Sequence, residues 1–174
     1  MSKFNQNWYL AYTKPNQEKK VAKQLAEYKL EYLLPQTRTL RQWHDRKKVI
    51  DMLLFPSYIF VYLTSVTDYY TCFDFDGFCS YVKFGNQVAT VSTKTIENIK
   101  LIISGGENIE VATDDFNVGE RVVINQGPLS GLSCEMVEYK GKQKVCVRIK
   151  MLNRMILTDV DRTVLSNTPA PVQI

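Results

Sequence analysis

The run Ser57-Tyr58-Ile59-Phe60-Val61-Tyr62-Leu63 limits the fold more than any other stretch of the chain. Its β-branched and aromatic residues favour extended backbone. Strand side chains alternate between faces, so Tyr58, Phe60 and Tyr62 share one side and Ile59, Val61 and Leu63 the other. A strand that is apolar on both sides has to be covered on both. That makes it the central strand of a layered domain.

The surrounding residues supply the other layers. Trp8 to Tyr12 reads as a buried strand, and a helix begins after Thr13 and Pro15. Val21, Leu25 and Tyr28 recur at helical spacing and define its buried face, with Lys19, Lys20 and Lys23 opposite. Tyr32 to Leu34 is extended again, and Pro35 discourages a helix there. From Thr37 to Ile50, Arg38, Arg41, Arg46, Lys47 and Lys48 interleave with Leu40 and Trp43 around a polar centre, Trp43-His44-Asp45-Arg46. That pattern predicts a projecting basic hairpin. Val66 to Phe73 is a short helix and Ser80 to Phe84 a strand ended by Gly85-Asn86. Ser92 or Thr93 caps a helix with Ile96, Ile99 and Ile103 on one face. The order is β-α-β-β-α-β-α, an α+β sandwich on an antiparallel sheet.

The pattern changes after Ser104-Gly105-Gly106-Glu107-Asn108. Adjacent glycines followed by small and acidic residues predict a flexible connection. The expected domains are therefore 1–104, a linker over 105–117, a second domain over 118–166 and a loose tail over 167–174, where Asn167-Thr168-Pro169-Ala170-Pro171 lies. Arg121–Ile124, Leu132–Tyr139, Lys144–Ile149 and Met155–Asp159 are short strands, with a hairpin turn at Tyr139-Lys140-Gly141-Lys142. So small a sheet holds a core by curling into a barrel, with Val145, Val147 and Ile149 inside and Cys146, Arg148 and Lys150 outside.

Several classes of function are disfavoured. Cys72, Cys79, Cys134 and Cys146 show no CxxC spacing, and His44 is the only histidine, so no metal site is expected. Cys134 and Cys146 read as small buried apolar residues. No serine or cysteine stands at a recognisable spacing from His44, and no phosphate-cradling loop occurs, so neither an enzyme nor a cofactor is expected. No signal-peptide core or membrane-length apolar run is present, which predicts a cytoplasmic chain. Residues 1–104 hold 14 lysines and arginines against 9 acidic residues, and residues 105–174 hold 8 against 9. The excess of +5 on the first part suits a nucleic acid or acidic partner, or an ordinary solvated face.

Four segments, in order, carry a resemblance. They are Trp8-Tyr9-Leu10-Ala11-Tyr12-Thr13-Lys14-Pro15; Leu54-Phe55-Pro56-Ser57-Tyr58-Ile59-Phe60-Val61; Tyr81-Val82-Lys83-Phe84-Gly85; and the stretch from Val118-Gly119-Glu120 to Gly127-Pro128-Leu129-Ser130-Gly131. Together they resemble the NusG/RfaH family of transcription factors. The second is similar to its FPGY-type signature, with Ser57 where most members have glycine. The fourth is similar to its KOW motif, although Ser133-Cys134-Glu135-Met136 departs from the usual pattern. The resemblance is nearest to specialised paralogues that antiterminate long operons, including capsular polysaccharide operons.

The resemblance implies an N-terminal NGN-like domain and a C-terminal KOW domain of SH3-like barrel form. It implies binding to RNA polymerase at the clamp helices of the largest subunit through Phe55, Tyr58, Phe60 and Phe84. The alternative is that all four fill the core, which suits Phe60 and Phe84 equally well and Phe55 and Tyr58 less well. Lys14, Gln17 and Lys20 fall where the RfaH branch meets the non-template DNA strand, and Asp76 falls on an arginine of that surface, reversing its charge. A solvated helix face fits these three as well. Arg41, Arg46 and Lys47 of the hairpin join them as nucleic-acid candidates, for DNA or nascent RNA. Asp68-Tyr69-Tyr70-Thr71 falls near the family's contact with the opposite side of the polymerase cleft, with Tyr69 or Tyr70 as alternative core residues. The KOW loop Gly127, Pro128, Leu129 and Gly131 implies Rho or a small ribosomal-subunit protein as partner. The competing reading is an RNA- or ribosome-binding module in which Arg121, Lys140, Lys142 and Lys144 track phosphate.

Overall fold

Strand β5 (Tyr58–Leu63) lies between β1 (Asn7–Thr13) and β2 (Tyr32–Leu33). On its far edge β1 pairs with β6 (Phe78–Tyr81) and β9 (Thr90–Val91), completing a five-stranded antiparallel sheet. Leu10 stands opposite Phe60 and Ala11 opposite Ile59, so the alternation of β5 continues across β1. One face presents Tyr9, Ala11, Ile59, Val61 and Leu63 to Val21, Ala22 and Leu25 of helix α1 (Glu18–Glu27), in a core that also takes Cys72, Phe75, Phe78 and Tyr81. Trp8, Leu10, Tyr12, Tyr58, Phe60 and Tyr62 line the other face.

The computed structural model describes residues 4–42, 44–114, 119–161, 163 and 165–166. Strands β3 (Gln36–Gln42) and β4 (Lys47–Leu53) form the expected separate hairpin. Helix α2 (Val66–Thr71) starts at a capping box, in which Ser65 Oγ accepts from Asp68 N at 3.1 Å and Asp68 Oδ2 accepts from Ser65 N at 3.1 Å. Burial alone would raise the Asp68 carboxyl, but hydrogen bonds from Thr64 and Ser65 hold it below its usual range. A second small hairpin joins β7 (Lys83–Phe84) and β8 (Gln87–Val88), and helix α3 spans Thr93–Gly105.

Three expectations need correction. Tyr28 is exposed, because α1 ends at Glu27 and Tyr28 is its C-cap. The buried isoleucines of α3 are Ile96, Ile99 and Ile102 rather than Ile103, a three-residue spacing that keeps to one helical face. The run 80–84 is two strands, broken at Val82, whose N–H donates to Leu10 O at 2.8 Å.

The chain divides into two compact units, Met1–Ile96 and Glu97–Ile174. In the second, the antiparallel sheet runs β10 (Glu107–Thr113), β14 (Arg154–Asp159), β13 (Lys142–Ile149), β12 (Ser133–Tyr139), β11 (Glu120–Ile124), β15 (Leu165–Ser166). The strands fall where the alternation predicted, and the unit also takes residues 97–105 of α3. The expected linker 105–117 does not hold as drawn, since Glu107–Thr113 is a strand paired along β14. Nor are the glycines there for freedom. A Cβ on Gly105 would stand 2.6 Å from Pro128 O, and one on Gly106 2.6 Å from Ile102 O. Glycine serves here by letting backbone approach backbone. The predicted tail 167–174 lies outside the described residues.

The expected outside face of β13 is also covered. Cys146 is buried with Val137, Met155 and Leu157, and Arg148 is nearly buried in ion pairs with Asp114 and Glu135, the latter at 2.9 Å. Glu135 Oε2 further accepts from Gly119 N at 3.1 Å.

Candidate functional site

The docking candidates centre on a turn whose form follows from Pro56. Tyr58 N donates to Phe55 O at 3.1 Å. Pro56 holds φ near its fixed value at the first central position, and Ser57 takes φ +68° at the second. This is a type II turn, in which the second central residue is normally glycine. Ser57 therefore carries the strain that a side chain meets in the left-handed region. Two contacts hold it there. Thr13 N donates to Ser57 O at 2.8 Å, and Ser57 N donates to Glu18 Oε1 at 2.7 Å from the first turn of α1. Glu18 itself is buried.

The turn does not present Phe55 and Tyr58 together, as expected from the sequence. Phe55 is 3% exposed and meets the fully buried Phe60 edge to face, with centroids 6.3 Å apart. Tyr58 is half-buried and packs at 5.4 Å on Tyr12, which is 39% exposed. The reachable pair is thus Tyr12 and Tyr58, resting on a sheet face that includes Phe60. Tyr12 was not among the sequence candidates. Its signal is the register that sets it opposite Tyr58, which becomes readable only when the strand pairing is known. Phe84 lies on the separate β7–β8 hairpin with 59% of its surface exposed.

Around the start of α1 the structure gathers the first group of nucleic-acid candidates. Lys14 is exposed and its backbone N donates to Gly77 O at 2.8 Å. Gln17 is the helix N-cap and its Cβ lies against Gly77, where a second Cβ would come within 2.7 Å. Lys20 forms an ion pair with Asp76. Lys20 holds the Asp76 carboxyl below its usual range, by hydrogen bond and by charge. The hairpin candidates are elsewhere. Arg46 and Lys47 are exposed, Arg41 pairs in register with Lys48, and Trp43 lies outside the described residues. Leu40 and Val49 face each other across this ribbon and are both exposed. Of the segment Asp68–Thr71, Asp68 caps α2, Tyr69 stacks on Tyr81 at 4.4 Å, and Tyr70 is exposed.

In the second unit, Gly127 and Gly131 have φ +79° and +90° with nothing near their absent Cβ atoms, so it is the backbone angle that requires glycine. Between them Pro128 is exposed and Leu129 buried. The loop closes through Ser130 N to Gly127 O at 3.1 Å and Gly131 N to Ile124 O at 2.7 Å. Beside it is an open cleft of about 530 Å³, with Ile124, Leu129 and Val160 in its lining and Glu107, Asp159 and Asp161 supplying acid. Two of the four basic residues named for phosphate tracking are otherwise engaged. The Lys144 side chain is 5% exposed and bonds Glu110 at 3.0 Å and Asp159 at 2.9 Å. Burial pulls its ammonium down, yet the hydrogen bonds to Asp159 and Glu110 outweigh this and hold its pKa above the usual value. Lys140 bonds Glu110 at 2.8 Å. Arg121 and Lys142 are exposed. Among the described residues no group of histidine, cysteine and carboxylates could hold a metal ion, and no helix is long and apolar enough to cross a membrane.

Residues 6–100 match the family model described as transcription termination factor nusG. The chain belongs to the NusG family. The match covers β1, β5 with its type II turn, and α3 as far as Lys100. A solved structure described as domain interaction in Thermotoga maritima NusG is similar to 92% of this chain over 96% of its own length, at 21% identity and a TM-score of 0.50. At that identity the likeness speaks for a NusG-type fold along both units. Membership makes the protein a transcription factor of the elongation and termination class.

Proposed function

We propose that this NusG-family protein binds RNA polymerase at the clamp helices of the largest subunit and lowers pausing and termination. It acts by binding alone, without covalent chemistry. Residues 1–104 would serve as the NGN-like polymerase-binding domain and 118–166 as the KOW domain. The observation that carries the reading is the Tyr12–Tyr58 pair, two partly exposed rings 5.4 Å apart on a braced turn. Aromatic rings on a rigid support are the usual energetic centre of an interface. Phe55 and Phe60 would contribute by backing that pair, and Phe84 through its own hairpin. A ligand of this kind shifts the polymerase towards the clamp state it binds more tightly.

Lys14, Gln17 and Lys20 would then face the non-template DNA strand, and Arg41, Arg46 and Lys47 DNA or nascent RNA. The resemblance to specialised paralogues supports action on a limited set of long operons, capsular polysaccharide operons among them. A partner of the KOW loop, Rho or a small ribosomal-subunit protein, would meet Pro128 and the acidic cleft beside it. The competing RNA-module reading is weakened by the engagement of Lys140 and Lys144 with Glu110.

The test is a transcription assay with the full chain and Tyr12→Ala plus Tyr58→Ala. Loss of polymerase binding and of pause suppression is expected. Unchanged binding and pausing would remove the aromatic pair from the interface.

A further inference from the structure

The turn before β6 is fastened to α1 in a way that the fold alone does not require. Gln24 brackets the backbone of Asp76 from both sides: its Nε2 donates to Asp76 O at 2.9 Å, and its Oε1 accepts from Asp76 N at 2.9 Å. Lys14 N holds the next residue through Gly77 O at 2.8 Å. These bonds use only the backbone of the turn. They leave the Asp76 carboxylate free to point at one target, and that target is Lys20. One turn further along the helix, Lys23 lies 3.9 Å from Glu27. Lys14 also acts on the Asp76 carboxylate by charge, after Lys20.

A carboxylate held beside an ammonium cancels most of its pull on a phosphate, and repels the phosphate as well. We infer that Asp76 is a selectivity residue, which masks Lys20 and weakens non-specific binding of phosphodiester strands at the start of α1. This rests on the reading of Lys14, Gln17 and Lys20 as a nucleic-acid surface and adds a brake to it. A factor restricted to few operons gains from such a brake. Phosphate contacts position a protein on any sequence, and only base contacts discriminate.

The experiment measures binding of the full chain to single-stranded DNA and RNA oligonucleotides of one mixed sequence, by fluorescence anisotropy over a range of salt. The Gln24 bracket involves only the Asp76 backbone, so Asp76→Asn keeps the turn. Asp76→Asn should tighten binding about fivefold at low salt, the size expected of one nearby unit charge in water. The dependence of log K on log salt should steepen by about 0.7, as one more phosphate is neutralised. The gain should appear on both strand types, because the phosphate is common to them. Lys20→Ala alone should weaken binding by a similar factor, because it leaves the Asp76 carboxylate uncompensated, and the double variant with Asp76→Asn should bind like the intact protein. Lys14→Ala reports on the surface itself. If Lys14→Ala weakens binding while Asp76→Asn alters neither affinity nor slope, the brake is wrong and the surface stands. A double variant that binds as tightly as Asp76→Asn alone also overturns the brake. If neither Lys14→Ala nor Asp76→Asn has any effect, surface and brake fall together.

Discussion

In the first unit, the core beside the sheet is closed by rings. Tyr81 packs against Tyr9, Tyr69, Phe73 and Phe78, with centroids between 4.4 and 6.1 Å, and its hydroxyl donates to Tyr69 O at 3.1 Å. In the second unit, one sheet face keeps a small apolar patch, Val137, Cys146, Met155 and Leu157, flanked by two ion networks. Lys144 joins Glu110 of β10 to Asp159 of β14, while Arg148 joins Asp114 to Glu135. Burial raises the thiols on both sides of the comparison, Cys72 to about 11 and Cys146 to about 11. Both residues are buried, and the difference lies in what covers them. Apolar covering tolerates changes of pH and salt. Ionic covering is strong only while every partner stays charged.

That contrast can be broken in steps, beginning with the largest effect. Tyr81→Ala empties the centre of the ring cluster and should cost the first unit about 4 kcal/mol, measured by denaturant unfolding, with little dependence on salt. Arg148→Ala leaves two carboxylates without their shared cation and should cost about 3 kcal/mol. The loss should be local, so amide exchange should accelerate in β10 and β12 while β1 and β5 stay protected. Equal exchange in all four strands would mean that the ion network does not belong to the second unit alone.

Acid should separate the units more gently. The Glu110 carboxyl is held low by hydrogen bonds from Lys140 and Lys144, and that of Asp159 by hydrogen bonds from Asn108 and Lys144. A depressed carboxyl stabilises the fold above its unfolded pKa, about 4, and loses that contribution as pH falls through its folded value. Lys144, with its pKa raised, remains charged throughout that range. Strand β10 should therefore loosen below about pH 4 before β5 does, as followed by amide exchange or NMR. The smallest effect belongs to the turn. Ser57→Gly relieves a left-handed residue and should stabilise the first unit by about 1 kcal/mol, read from the denaturant midpoint.

Much of the first unit could be read from residue order. The doubly apolar run Tyr58–Leu63 announced a central strand, whereas Ser57, which reads as its first residue, belongs to the turn before it. Burial of Phe55 could not be read, because an aromatic residue beside a proline suits a core and an interface alike. In the second unit the two-residue period located the strands but not what covers them. Arg148 looks outward by alternation, yet its partners Asp114 and Glu135 are distant in sequence and meet it only through strand pairing. Gly105 and Gly106 misled for a similar reason. Glycine marks freedom and close approach with the same letter, and only the neighbouring Pro128 and Ile102 carbonyls distinguish them.

The proposed role in transcription depends on the sheet face that carries Tyr12 and Tyr58 making the contact with polymerase. Gel filtration of the full chain with core RNA polymerase tests this most directly. The intact protein should elute with the enzyme, and the variant lacking the Tyr12 and Tyr58 rings should elute alone while keeping its fold. Co-elution of both proteins, or of neither, would contradict it.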